Sequence, residues 1–502
     1  VERENNSGQL TILQIEKGVT VQFAENTRLR IGHDSDANYR GAIQAQGVTF
    51  TAFDTSSAWT GIRFNNYSDD AGTILDSCVI EYAGDGIYCE SSSPTITNTV
   101  FRYNEDGIDA DPGSAPILVD NTFTSNQYPV KIYGDKIDGN LYGNTYYGNA
   151  IDTLSSSDYI FVYGDQSSNS YERLHENKTY DWLLDGAPYR LTDHIQVWYD
   201  QNGGYTAILK IYPQVQMVFE AGKYLYIGST SDPNDWGALQ ADSVTFTALD
   251  TSSGWSSIKI NSYSRDDETY LDHCIIEYAD DGVICQSSNP TITNTVFRYN
   301  TDGIDADDGA RPTVTDNSFI ENTRPVSVYA QRIDSTLYGN TYTDNEKDYI
   351  EVQGDYIQDN GTFIWAMDGA PYVVNGHVYV ERDNNGGQLS TLKIEDGTIV
   401  QFNDDAWLYI GHASNGSYRG ALQADGVTFT RSDATDTWLG IRIRNYSDDA
   451  TTYLDDCVIE YAGDGIYCES SSPTITNTVF RYNTDGIDAD PGSAPILVDN
   501  TF

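Results

Sequence analysis

Leu75–Phe123 reads LDSCVIEYAGDGIYCESSSPTITNTVFRYNEDGIDADPGSAPILVDNTF, and it returns as Leu454–Phe502 with Asp456 in place of Ser77 and Thr484 in place of Glu105. A looser copy runs from Leu271 to Phe319. Cys78, Cys274 and Cys457 mark the three copies, 196 and then 183 residues apart. Repetition on this scale has to be read before any single residue is given a role.

A shorter period lies inside the stretch. Ile80, Phe101 and Phe123 fall at steps of 21 and 22 residues, as do Ile87, Ile108 and Val130, and Leu75, Ile96 and Leu118. Apolar columns at this spacing, each flanked by polar neighbours, predict one coil of a parallel β-solenoid per step, with coils about 4.8 Å apart. No 3.6-residue apolar period is sustained, so helices are not expected. Cys78, Thr99 and Asn121 should share one inward column, and Cys89, Ala110 and Ile132 another. Glu81 should stack beside Arg102, and the pair recurs as Glu277–Arg298 and Glu460–Arg481. Such pairs hold register more than they add stability, at about 0.2–1 kcal/mol each.

Outward from the stretch, the copies define three units: 1–196, 197–379 and an incomplete 380–502. YPVKIYGDKIDGNLYGNTYYGN in the first is answered by RPVSVYAQRIDSTLYGNTYTDN in the second, and DWLLDGAPYR by IWAMDGAPYV. Trp182 and Trp365 are therefore equivalent, and the 13-residue difference in unit length is expected just before them, near SYERLHENKTY, as a surface loop. No low-complexity linker separates the units, which predicts one continuous acidic rod. Val1 aligns with Val380 and Phe502 with Phe123, so the chain reads as a window on a longer protein or as a processed product.

The run Ser92–Ala110, SSPTITNTVFRYNEDGIDA, resembles the right-handed parallel β-helix repeat, in which S-P-x-I-x-N precedes a strand and D-G-I follows it. LTILQIEKGVTVQF and SAWTGIRF are similar to the opening coils of large secreted and cell-surface β-helix proteins of bacteria and archaea. The resemblance implies an all-β, right-handed β-helix in an extracellular setting. It implies no one function, because this fold carries lyases, hydrolases, adhesins and structural fibres.

Composition narrows the partners. The 502 residues hold 75 acidic against 28 basic side chains, a formal net charge of −47. A phosphate backbone or an anionic bilayer would be repelled, and no apolar run approaches the roughly 18 residues of a membrane span. The expected partners are a second copy or the chain's own continuation stacked end to end, and polysaccharide.

The aspartates are the first candidates for chemistry. Asp85 and Asp106 should sit one coil apart at an Asp-Gly corner, with Asp109 and Asp111 on the strand that follows. The sets recur as Asp281, Asp302, Asp305 and Asp307, and as Asp464, Asp485, Asp488 and Asp490, with near-identical neighbours. Stacked carboxylates repel unless hydrogen bonds or a cation offset them, which makes Ca²⁺ the one candidate cofactor. Asp-Gly is equally good turn chemistry with no ion at all. Asp109 and Asp111 are also candidates for a hydrolase pair, but repetition in every unit argues against a single tuned site. Lys131, beside Asp109, is the candidate lyase base, and Ser327 takes its place in the second unit.

The six cysteines form the pairs Cys78/Cys89, Cys274/Cys285 and Cys457/Cys468, each 11 residues apart. Both a disulfide across the coil and two buried thiols fit that spacing. The six histidines form no metal-binding pair. Tyr82/Tyr103, Tyr278/Tyr299 and Tyr461/Tyr482, with Trp59, Trp255 and Trp438, make rows suited to coil stacking or to a sugar-binding flank. Sequons at Asn5, Asn66, Asn177, Asn360, Asn415 and Asn445 are consistent with a surface setting, and Asn66 and Asn445 share one repeat position. The functional expectation is a structural, non-enzymatic segment of an extracellular filament, stalk or surface layer. An adhesin or carbohydrate-binding β-helix comes next, and a polysaccharide lyase or hydrolase third.

Overall fold

The computed structural model describes residues 1–3, 10–150, 157–164, 171–199, 205–333, 335–383, 389–435 and 437–502. Among the described residues, short strands follow one another with hardly any helix, four single 3₁₀ turns apart. Every strand pairing in the named ladders is parallel to the strand one coil away, as in Ile80↔Phe101↔Phe123 and Ile87↔Ile108↔Val130. Three strands make a coil, and three sheets make its walls.

Compactness divides the chain into two units, Val1–Ser256 with Tyr263–Thr269, and Ser257–Ser262 with Tyr270–Phe502. The division falls at neither of the repeat junctions 196/197 and 379/380. In unit 1 the walls are exemplified by Ile74–Asp76, Val79–Glu81 and Asp85–Cys89, each extended by the equivalent strand of the next coil. In unit 2 the same roles fall to Tyr270–Asp272, Ile275–Glu277 and Asp281–Cys285.

The interior holds the apolar columns that the 21–22-residue period predicts. Phe101, Phe123 and Tyr146 stack ring on ring at 5.0 and 5.1 Å, and Leu75, Ile96 and Leu118 are fully buried. Each such side chain adds roughly 1.5–3 kcal/mol by leaving water. Between the apolar columns run polar ladders. The Thr99 amide donates to Asn121 Oδ1, the Asn121 amide to Asn144 Oδ1, and the Asn144 amide to Asp185 Oδ1. A second ladder runs Ala83, Asn104, Asn126, Asn149, Asp158. Unit 2 repeats both, ending on Asp368 and Asp348. At each tight corner the backbone turns at a left-handed residue, among them Tyr82 and Tyr103 at φ 56° and 57°.

The length difference between repeats lies in two places. Asp158 follows Asn149 by nine residues, whereas Asp348 follows Asn345 by three. That accounts for six of the thirteen extra residues. The other seven fall between Ile160–Tyr163 and Tyr171–Leu174, ahead of the expected SYERLHENKTY, which is not a loop throughout because Tyr171–Leu174 and the start of Thr179–Trp182 are strands; residues 165–170 lie outside the described residues. Both insertions therefore flank one strand, Ile160–Tyr163.

Among the described residues, the repeat from Thr11–Ile15 to its equivalent Thr206–Ile211 is a step of 22 strands, one more than seven whole coils. Equivalent strands consequently change walls. In unit 1, Arg28–Ile31 and Tyr224–Ile227 belong to different sheets, and in unit 2 so do Asp281–Cys285 and Ala462–Cys468.

Candidate functional site

Asp85 opens the strand Asp85–Cys89 and Asp106 opens Asp106–Ala110, so parallel register stacks them, with Tyr128 one coil further. The same register sets Tyr88, Asp109 and Lys131 in the neighbouring outward column. Asp85, Asp106 and Asp109 thereby bring one oxygen each within 4.8 Å of one another. Lys131 Nζ sits 2.6 Å from Asp106 Oδ2 and 4.3 Å over the Tyr128 ring. Asp106 is only 4% exposed, and its other oxygen, Oδ1, is buried with no hydrogen-bond partner among the described residues. Burial pushes all three carboxyls up to about 6; Asp109 adds to the rise at Asp85 and Asp106 to that at Asp109, while Lys131 opposes it at all three.

Asp111, expected to pair with Asp109, is elsewhere engaged. Its Oδ1 accepts from the amides of Ser91 and Gly113 and from the Ser114 hydroxyl. Asp307 and Asp490 cap the equivalent turns. The Asp109–Asp111 pair is thus corrected to Asp85, Asp106 and Asp109, because residue 111 has left the strand and turned into the loop.

The expectation of near-identical neighbours also fails. In unit 2, Asp281 and Asp302 stack with Arg324, and Asp305 with Ser327. The Arg324 guanidinium grips both oxygens of Asp302 and reaches Glu351 Oε2 at 3.1 Å. A cation thus stands over both corners, but Lys131 comes from the Asp109 column and Arg324 from the Asp106 column. Burial, with Asp302 and Asp305 nearby, pushes Asp281 up to about 7. Asp464, in the third copy, is raised by burial and by Asp488 and Asp485, with Arg442 opposing.

All six cysteines are buried and, among the described residues, none is in a disulfide. Cys78, Cys274 and Cys457 turn their thiols to the carbonyls of Asp76, Asp272 and Asp455 at 3.2–3.4 Å, that is, along their own corners. The disulfide alternative is not the one the structure holds. Burial pushes the Cys457 thiol up to about 12 and the Cys468 thiol up to about 11.

Trp59, Trp255 and Trp438 are 0% exposed and stack on Phe23, Phe219 and Phe402 at 4.1–4.4 Å. They belong to the core, which removes them from any sugar-binding flank. Tyr82 and Tyr103 do lie at the surface, stacked at 5.0 Å and 16°, as are Tyr278/Tyr299 and Tyr461/Tyr482. Rings stacked face to face present their edges outward, whereas a sugar ring packs on an open face.

The ion pairs Glu81–Arg102, Glu277–Arg298 and Glu460–Arg481 form at 2.6–2.7 Å. Four histidines, His33, His194, His377 and His412, accept backbone amides at Nδ1. The sequon residues Asn66, Asn177, Asn360, Asn415 and Asn445 are exposed, and Asn5 lies outside the described residues.

The ladder-ending aspartates escaped the sequence reading, although the recurrence of DGAPY around Asp185 and Asp368 was their signal. Asp185 takes the Asn144 amide, its side-chain amide and the Tyr146 hydroxyl. Arg324 was also missed, because a swap between columns is invisible when positions are compared one at a time.

Among the described residues, no helix is long and apolar enough to cross a membrane. The sequence matches the family model of the right handed beta helix region over residues 36–191 and 238–376. No curated protein matches it.

Proposed function

The chain belongs to the right-handed β-helix family, and from that premise we propose that it is a structural segment of a secreted or cell-surface filament, stalk or surface layer, joined to its neighbours by coil-on-coil stacking. The observation that carries this reading is that each unit's conspicuous side chains are spent on the next coil. Asparagines bond to asparagines one coil on, rings stack on rings, and glutamates pair with arginines across the same step. Such a wall binds more of itself better than it binds anything else.

The exposed sequon asparagines and the net charge of −47 support an extracellular setting. Electron microscopy of the purified chain at high concentration tests the reading. Fibres or end-joined particles are expected; discrete particles of single-chain mass at every concentration overturn it.

A second reading, a hydrolase acting on polysaccharide, draws on one observation: three carboxyls held near 6 converge in unit 1. A general acid has to keep its proton near neutral pH. Reducing ends released from acidic polysaccharides, and lost on Asp85→Asn, would favour it. An adhesin reading has the weaker support, since the stacked tyrosines offer edges; glycan-array binding would restore it.

A further inference from the structure

We propose that the corner formed by Asp85, Asp106 and Asp109 in unit 1 is a divalent-cation site of the Ca²⁺ type, and that its repeat equivalent, Asp281, Asp302 and Asp305, is not. The site takes one oxygen from each carboxylate, and these oxygens lie within 4.8 Å of one another. Oxygens that ligate Ca²⁺ at 2.3–2.6 Å stand up to about 5 Å apart across the ion, so a Ca²⁺ fits among them with the backbone as it is.

An independent observation points the same way. Asp106 is almost wholly buried; its Oδ2 is bound by Lys131, and its Oδ1 is buried with no hydrogen-bond partner among the described residues. A buried carboxylate oxygen left unmet is costly, and native interiors rarely keep one without an unseen partner such as an ion. The partner this oxygen lacks must be a donor or a cation, and Asp85 and Asp109, which converge on the same corner, are acceptors when ionised.

The equivalent corner shows what the alternative looks like. Arg324 hydrogen-bonds to both oxygens of Asp302, and Ser327 lies beside Asp305. The guanidinium already fills the space and supplies the charge, so no second cation is called for. Lys131 does less in unit 1, because it meets one oxygen of one carboxylate. It lowers the net charge of the corner without closing it, and so competes with the ion electrostatically while leaving Asp85 and Asp109 free to ligate.

The test is calorimetric titration of CaCl₂ into the intact chain after chelator treatment and dialysis, at about 0.15 M KCl to screen the diffuse surface charge. One saturable site per chain is expected. Asp109→Asn should abolish it, Asp305→Asn should leave it unchanged, and Lys131→Gln should tighten it several-fold. Absence of a saturable site, survival of binding in Asp109→Asn, or equal loss in Asp305→Asn overturns the assignment. Far-UV circular dichroism in chelator checks that each variant keeps its strands. If Asp109→Asn disturbs the coil, Lys131→Gln decides alone, and an unchanged or weaker affinity is fatal. These outcomes do not depend on whether the chain polymerises.

Discussion

Glu172 pairs in register with Ile195 and, like it, is buried, at 3% exposure. Its Oε1 accepts the Asp135 amide. Burial, and then the Asp135 charge, push its carboxyl well above the usual range. The folded state therefore keeps a proton that the unfolded chain releases above its ordinary value of about 4.5, and stability falls as pH rises through that window. Glu172→Gln keeps the acceptor and removes the titration. In urea melts between pH 5 and 9, the variant's midpoint for unit 1 should fall less with pH than the parent's; parallel curves would show that Glu172 contributes nothing. Asn121 makes a different kind of claim on the interior. It accepts the Thr99 amide and donates to the Ile96 carbonyl and to Asn144 Oδ1. Asn121→Ala leaves the buried Thr99 amide and the Ile96 carbonyl without this partner, each worth roughly 1–3 kcal/mol when unmet, while Asn144 Oδ1 keeps the backbone amide of residue 121. A loss of at least about 2 kcal/mol in chemical denaturation is expected, well beyond a typical surface change.

At the scale of the strand and its corner, the cysteines give the cleanest check. Cys78, Cys274 and Cys457 sit where a polar ladder meets the apolar wall, their amides donating to Oγ1 of Thr99, Thr295 and Thr478, while Cys89, Cys285 and Cys468 pair with buried or core-column alanines. Native protein should take up no iodoacetamide, and protein in denaturant without reductant should take up six equivalents. Fewer than six would reveal disulfides. This scale is also where the sequence was most legible. Strand columns, inward and outward faces and the Glu81–Arg102 pairing all follow from a period of 21–22 residues, because parallel register admits one alignment per coil. What stayed hidden depended on three dimensions. Trp59, placed before a strand, fits coil stacking and a sugar-binding flank equally by position alone, and only the structure buries it on Phe23 with its indole N–H on the Glu81 carbonyl. Asp111 looked like a strand residue until the loop took it. The acidic corners looked alike because their own residues repeat, while the cations above them, Lys131 and Arg324, come from different columns.

On the scale of the molecule, the 22-strand repeat on a three-strand coil has a consequence for function. Within unit 2 the corners at Asp281 and Asp464 lie on different sheets, so repeated positions cannot line up into one row along one face. A polymer read by a row of identical subsites is ill matched to such a wall, whereas stacking, which uses every wall at once, is not. The same construction makes stability local. A solenoid coil contacts mainly the coils beside it, so damage spreads by neighbour terms and fades. Phe123 is fully buried between Phe101 and Tyr146. Phe123→Ala should cost about 3–5 kcal/mol, and hydrogen exchange should quicken in the strands Val100–Arg102, Thr122–Thr124 and Thr145–Tyr147. In unit 2, the strands Tyr372–Asn375 and Ile399–Phe402 should keep their protection. If exchange instead quickened uniformly in both units, the chain would be folding as one cooperative body, and coil-by-coil stacking could not be what holds it together.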